Sequence, residues 1–151
     1  KEFNPVDMNE VLSIVRENMH FSILEMDAEV HSEPLPTVIA DQAQMVQLVT
    51  NLLSNAIKFH GTDPPRVWIS STEGYSGWTF TIRDNGIGID PKYQSNLFKL
   101  FTRLHSQDEY PGTGIGLAMS KKIVERHGGQ IWYESDGAIG STFYFTLPRN
   151  I

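Results

Sequence analysis

Apolar positions along the chain change their period several times, and each change marks an element. Asp7 followed three residues later by Glu10 is a helix-start signature, and Val11, Leu12, Val15 and Met19 then fall on one face, which predicts a first helix. From Leu24 the period drops to two, with Leu24, Met26, Ala28 and Val30 alternating against Glu25, Asp27, Glu29 and His31 as in a half-buried strand. Pro34 and Pro36 break that run. Asp41 with Gln44 opens a second helix, whose apolar side carries Met45, Leu48, Val49, Leu52, Leu53 and Ala56 and which ends in the 61–65 stretch.

Two strands follow around a turn at 73–77, and in the second Trp78, Phe80 and Ile82 alternate strictly with Thr79, Thr81 and Arg83 until Asp84-Asn85-Gly86 stops the ladder. Residues 88–112 are polar at both ends and broken by Pro91 and Pro111, with one apolar patch around Leu97, Phe98, Leu100, Phe101 and Leu104; this reads as a mobile lid. A third helix begins at the glycines around Gly114 and ends at Gly128-Gly129, with Ile115, Met119 and Ile123 on a common side. A last hairpin runs out from Ile131 to Ser135 and back from Ser141 to Leu147. Helices and strands mix without regular alternation, so the fold class is α+β rather than a doubly wound sheet.

Length and charge narrow the picture. With 151 residues, 40% hydrophobic and 20% charged, the chain has the composition of one globular unit. No run reaches the roughly 18 apolar residues of a membrane span. Twelve basic against eighteen acidic side chains give a net charge of −6 with no basic cluster, which argues against nucleic acid as a partner. The absence of cysteine removes disulfides and thiolate chemistry together. A cytoplasmic setting fits. The chain opens at Lys1 without an initiator methionine or a signal sequence, so it reads as a piece of a longer parent, itself soluble or membrane-anchored.

Candidate chemistry starts on the second helix. Gln44, Gln47, Asn51, Asn55 and Lys58 lie opposite its apolar stripe. A solvated face is one reading. Such faces usually carry Glu and Lys, however, and asparagine costs a helix interior several tenths of a kcal/mol relative to alanine, so two asparagines four apart suggest a function. Amide oxygens can coordinate a hard cation while an ammonium meets phosphate oxygens, as a magnesium-nucleotide site requires. Asp84, where a strand ends, can accept from an exocyclic amine while the glycines beside it let a flat ring approach; an ordinary Asp-Asn-Gly turn is the alternative. Gly112-Thr113-Gly114-Ile115-Gly116 leads into a helix whose free N–H groups can face an anion, and it matches neither a Walker loop nor a dinucleotide fingerprint.

Read together, Asn51 to Phe59 (NLLSNAIKF), Asp84 to Ile89 (DNGIGI), Leu97 to Phe101 (LFKLF) and Gly112 to Leu117 (GTGIGL) resemble the N, first glycine, F and second glycine boxes of sensor histidine kinases. Four boxes in this order cover nearly the whole chain. Residues 103–117 are most similar to the phytochrome-type, PAS-linked branch. The resemblance implies a Bergerat-type two-layer α/β sandwich, in which a mixed, mostly antiparallel sheet packs against helices and ATP lies between the helices and the lid. It implies that Asn55 ligates Mg2+ with Asn51 in support, that Lys58 and Arg103 contact phosphate, and that Phe59 lies near the nucleotide. Asp84 would recognise the adenine amine, with Gly86, Gly88 and Ile89 in the same box. Gly112, Thr113, Gly114 and Gly116 with Leu117 would form the lid's far hinge and phosphate-binding turn. Thr142 matches a position near adenine, with a structural strand residue as the alternative.

Relatives such as DNA gyrase carry a glutamate at the position of Asn51, where it serves as general base. A neutral amide cannot take up that proton, so the resemblance implies phosphoryl transfer to histidine rather than hydrolysis. No stretch resembles a phosphoacceptor box: His20, His31, His60, His105 and His127 are scattered. The expectation is therefore a catalytic and ATP-binding domain alone, monomeric, acting on the histidine-bearing dimerisation domain of its parent and upstream of a response regulator. Phe98 and Phe101 are the expected docking patch for that domain, or else plain core. A nucleotide-binding regulatory module without phosphotransfer is the alternative function.

Overall fold

The computed structural model of the chain describes residues 3–58, 61–87, 98, 115–135 and 140–149. In chain order these form β1 (Asn4–Asp7), α1 (Met8–Asn18), α2 (His20–Glu25), β2 (Glu29–Ser32), β3 (Thr37–Ala40), α3 (Gln42–Lys58), β4 (Arg66–Glu73), β5 (Gly77–Asp84), α4 (Ile115–Arg126), β6 (Ile131–Glu134) and β7 (Ser141–Pro148). Five strands make the main sheet in the order β2-β4-β5-β7-β6, and β1 pairs with β3 in a separate two-stranded sheet. Only β2 runs parallel to its neighbour, β4, so the sheet is mixed and mostly antiparallel, as the α+β reading requires.

Local chemistry starts the helices where the sequence marks them. The Asp7 carboxylate accepts from the Asn9 N–H at 2.9 Å and caps α1, and the Asp41 carboxylate accepts from the Gln44 N–H at 3.1 Å ahead of α3. Strict alternation in β5 sends Phe80 and Ile82 inward, where Phe80 stacks on Phe145 of β7 with ring centroids 4.8 Å apart. Helix α3 lies over this face, contributing Met45, Leu48, Leu52 and Leu53, all fully buried. Helices α1 and α4 flank it and complete the second layer.

Two parts of the secondary structure depart from the sequence reading. The strand expected from Leu24 begins only at Glu29, because helical hydrogen bonds continue past Met19: the Met19 N–H donates to the Val15 carbonyl and the Ile23 N–H to the Met19 carbonyl, both at 2.9 Å. Leu24 and Met26 are thus exposed on and just after α2, and the apparent period of two straddles a helix end. The β1–β3 pair had no counterpart in the sequence reading. Its register, Val6 opposite Val38, puts two short apolar runs together from across α1, α2 and β2, a tertiary event with no local period.

His127 ties α4 to the start of α3. Its Nδ1 lies 2.8 Å from the Ile123 carbonyl and its Nε2 accepts the Asp41 N–H at 3.1 Å, an arrangement that requires the neutral ring protonated at Nδ1. Its role is in packing, as expected for a histidine outside any phosphoacceptor motif.

Candidate nucleotide site

Helix α3 presents Asn51, Asn55 and Lys58 along one side, each half-buried, while the opposite side fills the core. Asn51 faces the first turn of α4. Its Nδ2 donates to the Gly116 carbonyl at 3.1 Å and to the Ser120 hydroxyl at 3.3 Å, and its Oδ1 accepts from Gln47 Nε2 at 2.8 Å. Ser120, fully buried, donates in turn to the Gly116 carbonyl at 2.8 Å. The asparagine that the polar-face argument singled out is therefore a strut between two helices. Ser120 escaped the sequence reading, since a lone serine within a helix gives no signal until its neighbours are known.

The same contact brings Gly116 against α3: a Cβ there would sit 3.7 Å from Asn51 Cγ. Leu117 is buried in the hydrophobic core, which anchors the first turn of α4. As the second residue of α4, Gly116 has an N–H among the four at a helix start that make no intrahelical bond.

At the end of β5, Asp84 is 7% exposed. Its carboxylate accepts the Gly86 N–H at 2.7 Å and a backbone hydrogen bond from Ser141, yet burial outweighs both and pushes the carboxyl up to about 7 from 3.8. It forms no ion pair among the described residues. Asn85 fixes the turn beyond it, accepting from the Arg66 N–H at 2.7 Å and donating to the Pro64 carbonyl at 3.2 Å. Gly140, with φ +68°, packs on the Asp84 carbonyl where any Cβ would intrude, and its N–H donates to the Gly86 carbonyl at 2.8 Å.

Strand register decides which residue of β7 stands beside Asp84. Ser141 pairs with Asp84, whereas Thr142 pairs with Arg83 and, on its other side, with Glu134. Directly opposed residues share a face and successive residues alternate, so Thr142 points away from Asp84 onto the outer face with Arg83 and Glu134. Thr142 thus stands between Arg83 and Glu134 in the sheet. Ser141 is the hydroxyl on the Asp84 side, half-buried and accepting from Tyr133 Oη at 2.6 Å. It was findable: Phe143 and Phe145 mark the inward phase of β7, and Ser141 is in phase with them.

Phe98 packs edge-on against Phe143 with ring centroids 6.2 Å apart and is half-buried. Phe59, Gly88, Ile89, Phe101, Arg103, Gly112, Thr113 and Gly114 lie outside the described residues, as does the rest of the stretch read as a lid.

The donor set suits magnesium held the way this ion is commonly held. Among the described residues no cluster of three or more His, Cys, Asp or Glu offers a protein cage. Amide oxygens of Asn51 and Asn55 on one helix face would instead supply one or two hard ligands and leave the remaining positions to phosphate oxygens and water. Oδ1 of Asn51 keeps a second lone pair beyond the one that Gln47 occupies.

The family described as histidine kinase-, DNA gyrase B-, and HSP90-like ATPase matches residues 40–151. Cyanobacterial phytochrome A of Nostoc sp. is 45% identical over 97% of this chain, and phytochrome-like protein Cph1 of Synechocystis sp. is 46% identical over 94%; the chain spans 19% of the length of each. Among solved structures, the catalytic domain of histidine kinase ThkA superposes with TM-score 0.80 at 26% identity and mycobacterial sensor histidine kinase MprB with TM-score 0.80 at 29%, each over 99% of both chains. The chain belongs to the histidine kinase-, DNA gyrase B- and HSP90-like ATPase family, with phytochrome-like histidine kinases among its relatives and histidine kinase catalytic domains as its structural neighbours.

Proposed function

We propose that this domain binds ATP with Mg2+ and donates the γ-phosphoryl group to a histidine on a separate dimerisation domain, upstream of a response regulator. The observation that carries the reading is Asp84: a carboxylate buried at a strand end, held by two backbone N–H groups and without a cation partner among the described residues. Such a group is costly to fold around, and an exocyclic amine arriving with a ligand relieves that cost. Gly86 and Gly140 keep the backbone beside it free of side chains.

Their positions support the following roles for the chain's own residues. Asp84 would accept the adenine amine and fix the base. Asn55 and Asn51 would hold Mg2+ along α3, and Lys58, one turn on, would meet phosphate. The metal, when bound, supplies charge neutralisation at the phosphate oxygens. With Asn51 neutral and its amide committed to Gly116 and Ser120, no general base stands at that position to activate water, which favours transfer over hydrolysis. ThkA has been solved in complex with response regulator protein TrrA, an assembly of the kind proposed for the parent of this domain.

Calorimetric titration of the domain with ATP, with and without Mg2+, tests the binding half. Magnesium-strengthened binding abolished by Asp84→Asn is the expected result. Absence of binding under both conditions would defeat the reading and leave an interaction module. Transfer is tested by mixing the domain and labelled ATP with a histidine-bearing helical hairpin: label on the hairpin and none on the isolated domain is expected, and rapid ATP hydrolysis without the hairpin would contradict it.

A further inference from the structure

Helix α2 buries none of its residues fully. Ile23 leans on the core, while on the other side Phe21 is 83% exposed and Leu24, three residues on and therefore beside it, is 63% exposed; Met26 just beyond is 40% exposed. Phe21 and Leu24 are thus neighbours on the helix surface, with Met26 just beyond the helix end, whereas isolated exposed apolar residues are ordinary.

The charge around the patch is equally uneven. Residues 7–33 hold seven acidic side chains against one basic, Arg16, and the rest of the chain holds eleven of each, so the whole net charge of −6 arises in this stretch. Glu17, four residues before Phe21, and Glu25 and Asp27 beside Leu24 are exposed and form no ion pair among the described residues. Arg16 is turned away, donating to the Val30 carbonyl at 2.8 Å. Local stability does not explain these carboxylates. Glu25 is the last residue of α2 and Asp27 follows it, so both oppose the helix dipole. Asp27 also takes φ +54°, a conformation that glycine adopts at far lower cost.

We propose that the exposed face of α2 is a docking surface for a basic amphipathic helix of a partner protein, whose apolar side covers Phe21 and Leu24 and whose Lys or Arg side chains meet Glu17, Glu25 and Asp27. Charge selects this occupant. A second copy would bring two acidic rims together, and an anionic membrane surface would repel the same carboxylates. A basic helix satisfies both halves of the surface at once.

The test uses the isotopically labelled chain and a synthetic helical peptide of Leu on one face and Lys on the other, with a Leu/Glu peptide as control. Amide shifts confined to residues 17–29 on addition of the Lys peptide, weakened by salt and absent with the Glu peptide, are expected. Phe21→Ser with Leu24→Ser is expected to weaken binding at least about tenfold. Glu25→Lys with Asp27→Lys, which leaves the apolar face intact, is expected to reverse the preference toward the Glu peptide, and this second variant keeps the test decisive should the first fold poorly. Shifts elsewhere, no binding, self-association that the double serine variant abolishes, or binding to anionic lipid vesicles in preference to the peptide would each overturn the proposal.

Discussion

Ser141 stands directly across the β5–β7 ladder from Asp84, and one residue on Thr142 stands across from Arg83 on the opposite face. That single step of register separates a residue beside the buried carboxylate from one on the outer face of the sheet. Ser141→Val, which adds bulk beside Asp84, is expected to lower ATP affinity roughly tenfold, about 1.4 kcal/mol, whereas Thr142→Val is expected to leave it nearly unchanged. Calorimetric titration of both variants checks this, and equal losses would mean that facing in β7 does not decide which residue borders the nucleotide.

Asp84 also sets an expectation for pH. Its carboxyl is raised from 3.8 to about 7 by burial, so between those values the folded state holds a proton that the unfolded chain has released. Stability contributed by this group is therefore highest in acid, falls as pH rises from about 4 to about 7, and is level above that. Nucleotide binding runs the other way: the ionised carboxylate is the stronger acceptor, so affinity for ATP is expected to rise through pH 7. Asp84→Asn is expected to remove this group's contribution to both slopes. Comparing the variant with the parent chain at each pH, by thermal melts and by titration, separates the carboxyl from the titration of the phosphates.

Asn51 and Ser120 share the Gly116 carbonyl and each other, so they are expected to act as one unit. Asn51→Ala and Ser120→Ala are each expected to cost about 1–2 kcal/mol, and the double variant clearly less than their sum. Denaturant unfolding of the four members of this cycle measures the coupling. Full additivity would show that the strut does not hold α3 against α4.

Two glycines of the α4 region should respond oppositely to the same substitution. At Gly116 a Cβ meets nothing nearer among the described residues than Asn51 Cγ at 3.7 Å, an ordinary contact, so Gly116→Ala is expected to preserve stability or raise it by up to about 1 kcal/mol, the helix-propensity difference. At Gly129 a Cβ would overlap the Thr146 carbonyl, and relief would require breaking the Thr146 N–H bond to the Gln130 carbonyl that holds the chain to β7. Gly129→Ala is expected to lower the melting temperature sharply. The tolerated Gly116→Ala is then also a clean probe of whether a backbone group there approaches phosphate.

Much of this molecule is written locally. Asp7 and Asp41 announce helix starts through capping chemistry that needs only the next three residues, and the strict alternation of Trp78, Phe80 and Ile82 against threonines fixes the face of β5. The four boxes likewise lie in continuous segments, which is why the family was legible before any coordinate. Interactions between distant segments were not. Nothing in the period of residues 24–30 shows that helical bonding runs on through Met19, and nothing near Val6 points to Val38. The partner of Asp84 depended on whether β7 pairs in one register or the next, a choice that reverses the side every residue faces. Asn51 was conspicuous for its chemistry, yet only the approach of α4 decided that its amide would be spent on Gly116 and Ser120. Caps and periods, which act within a few residues, were enough to place α1, α3, α4 and the strands from β4 to β7, and the boxes to mark the side chains with the chemistry for a nucleotide. Tertiary structure alone decided which of those side chains share a face, and it left Phe21 and Leu24 in solvent, because facing and burial depend on segments far apart in the chain meeting in one register.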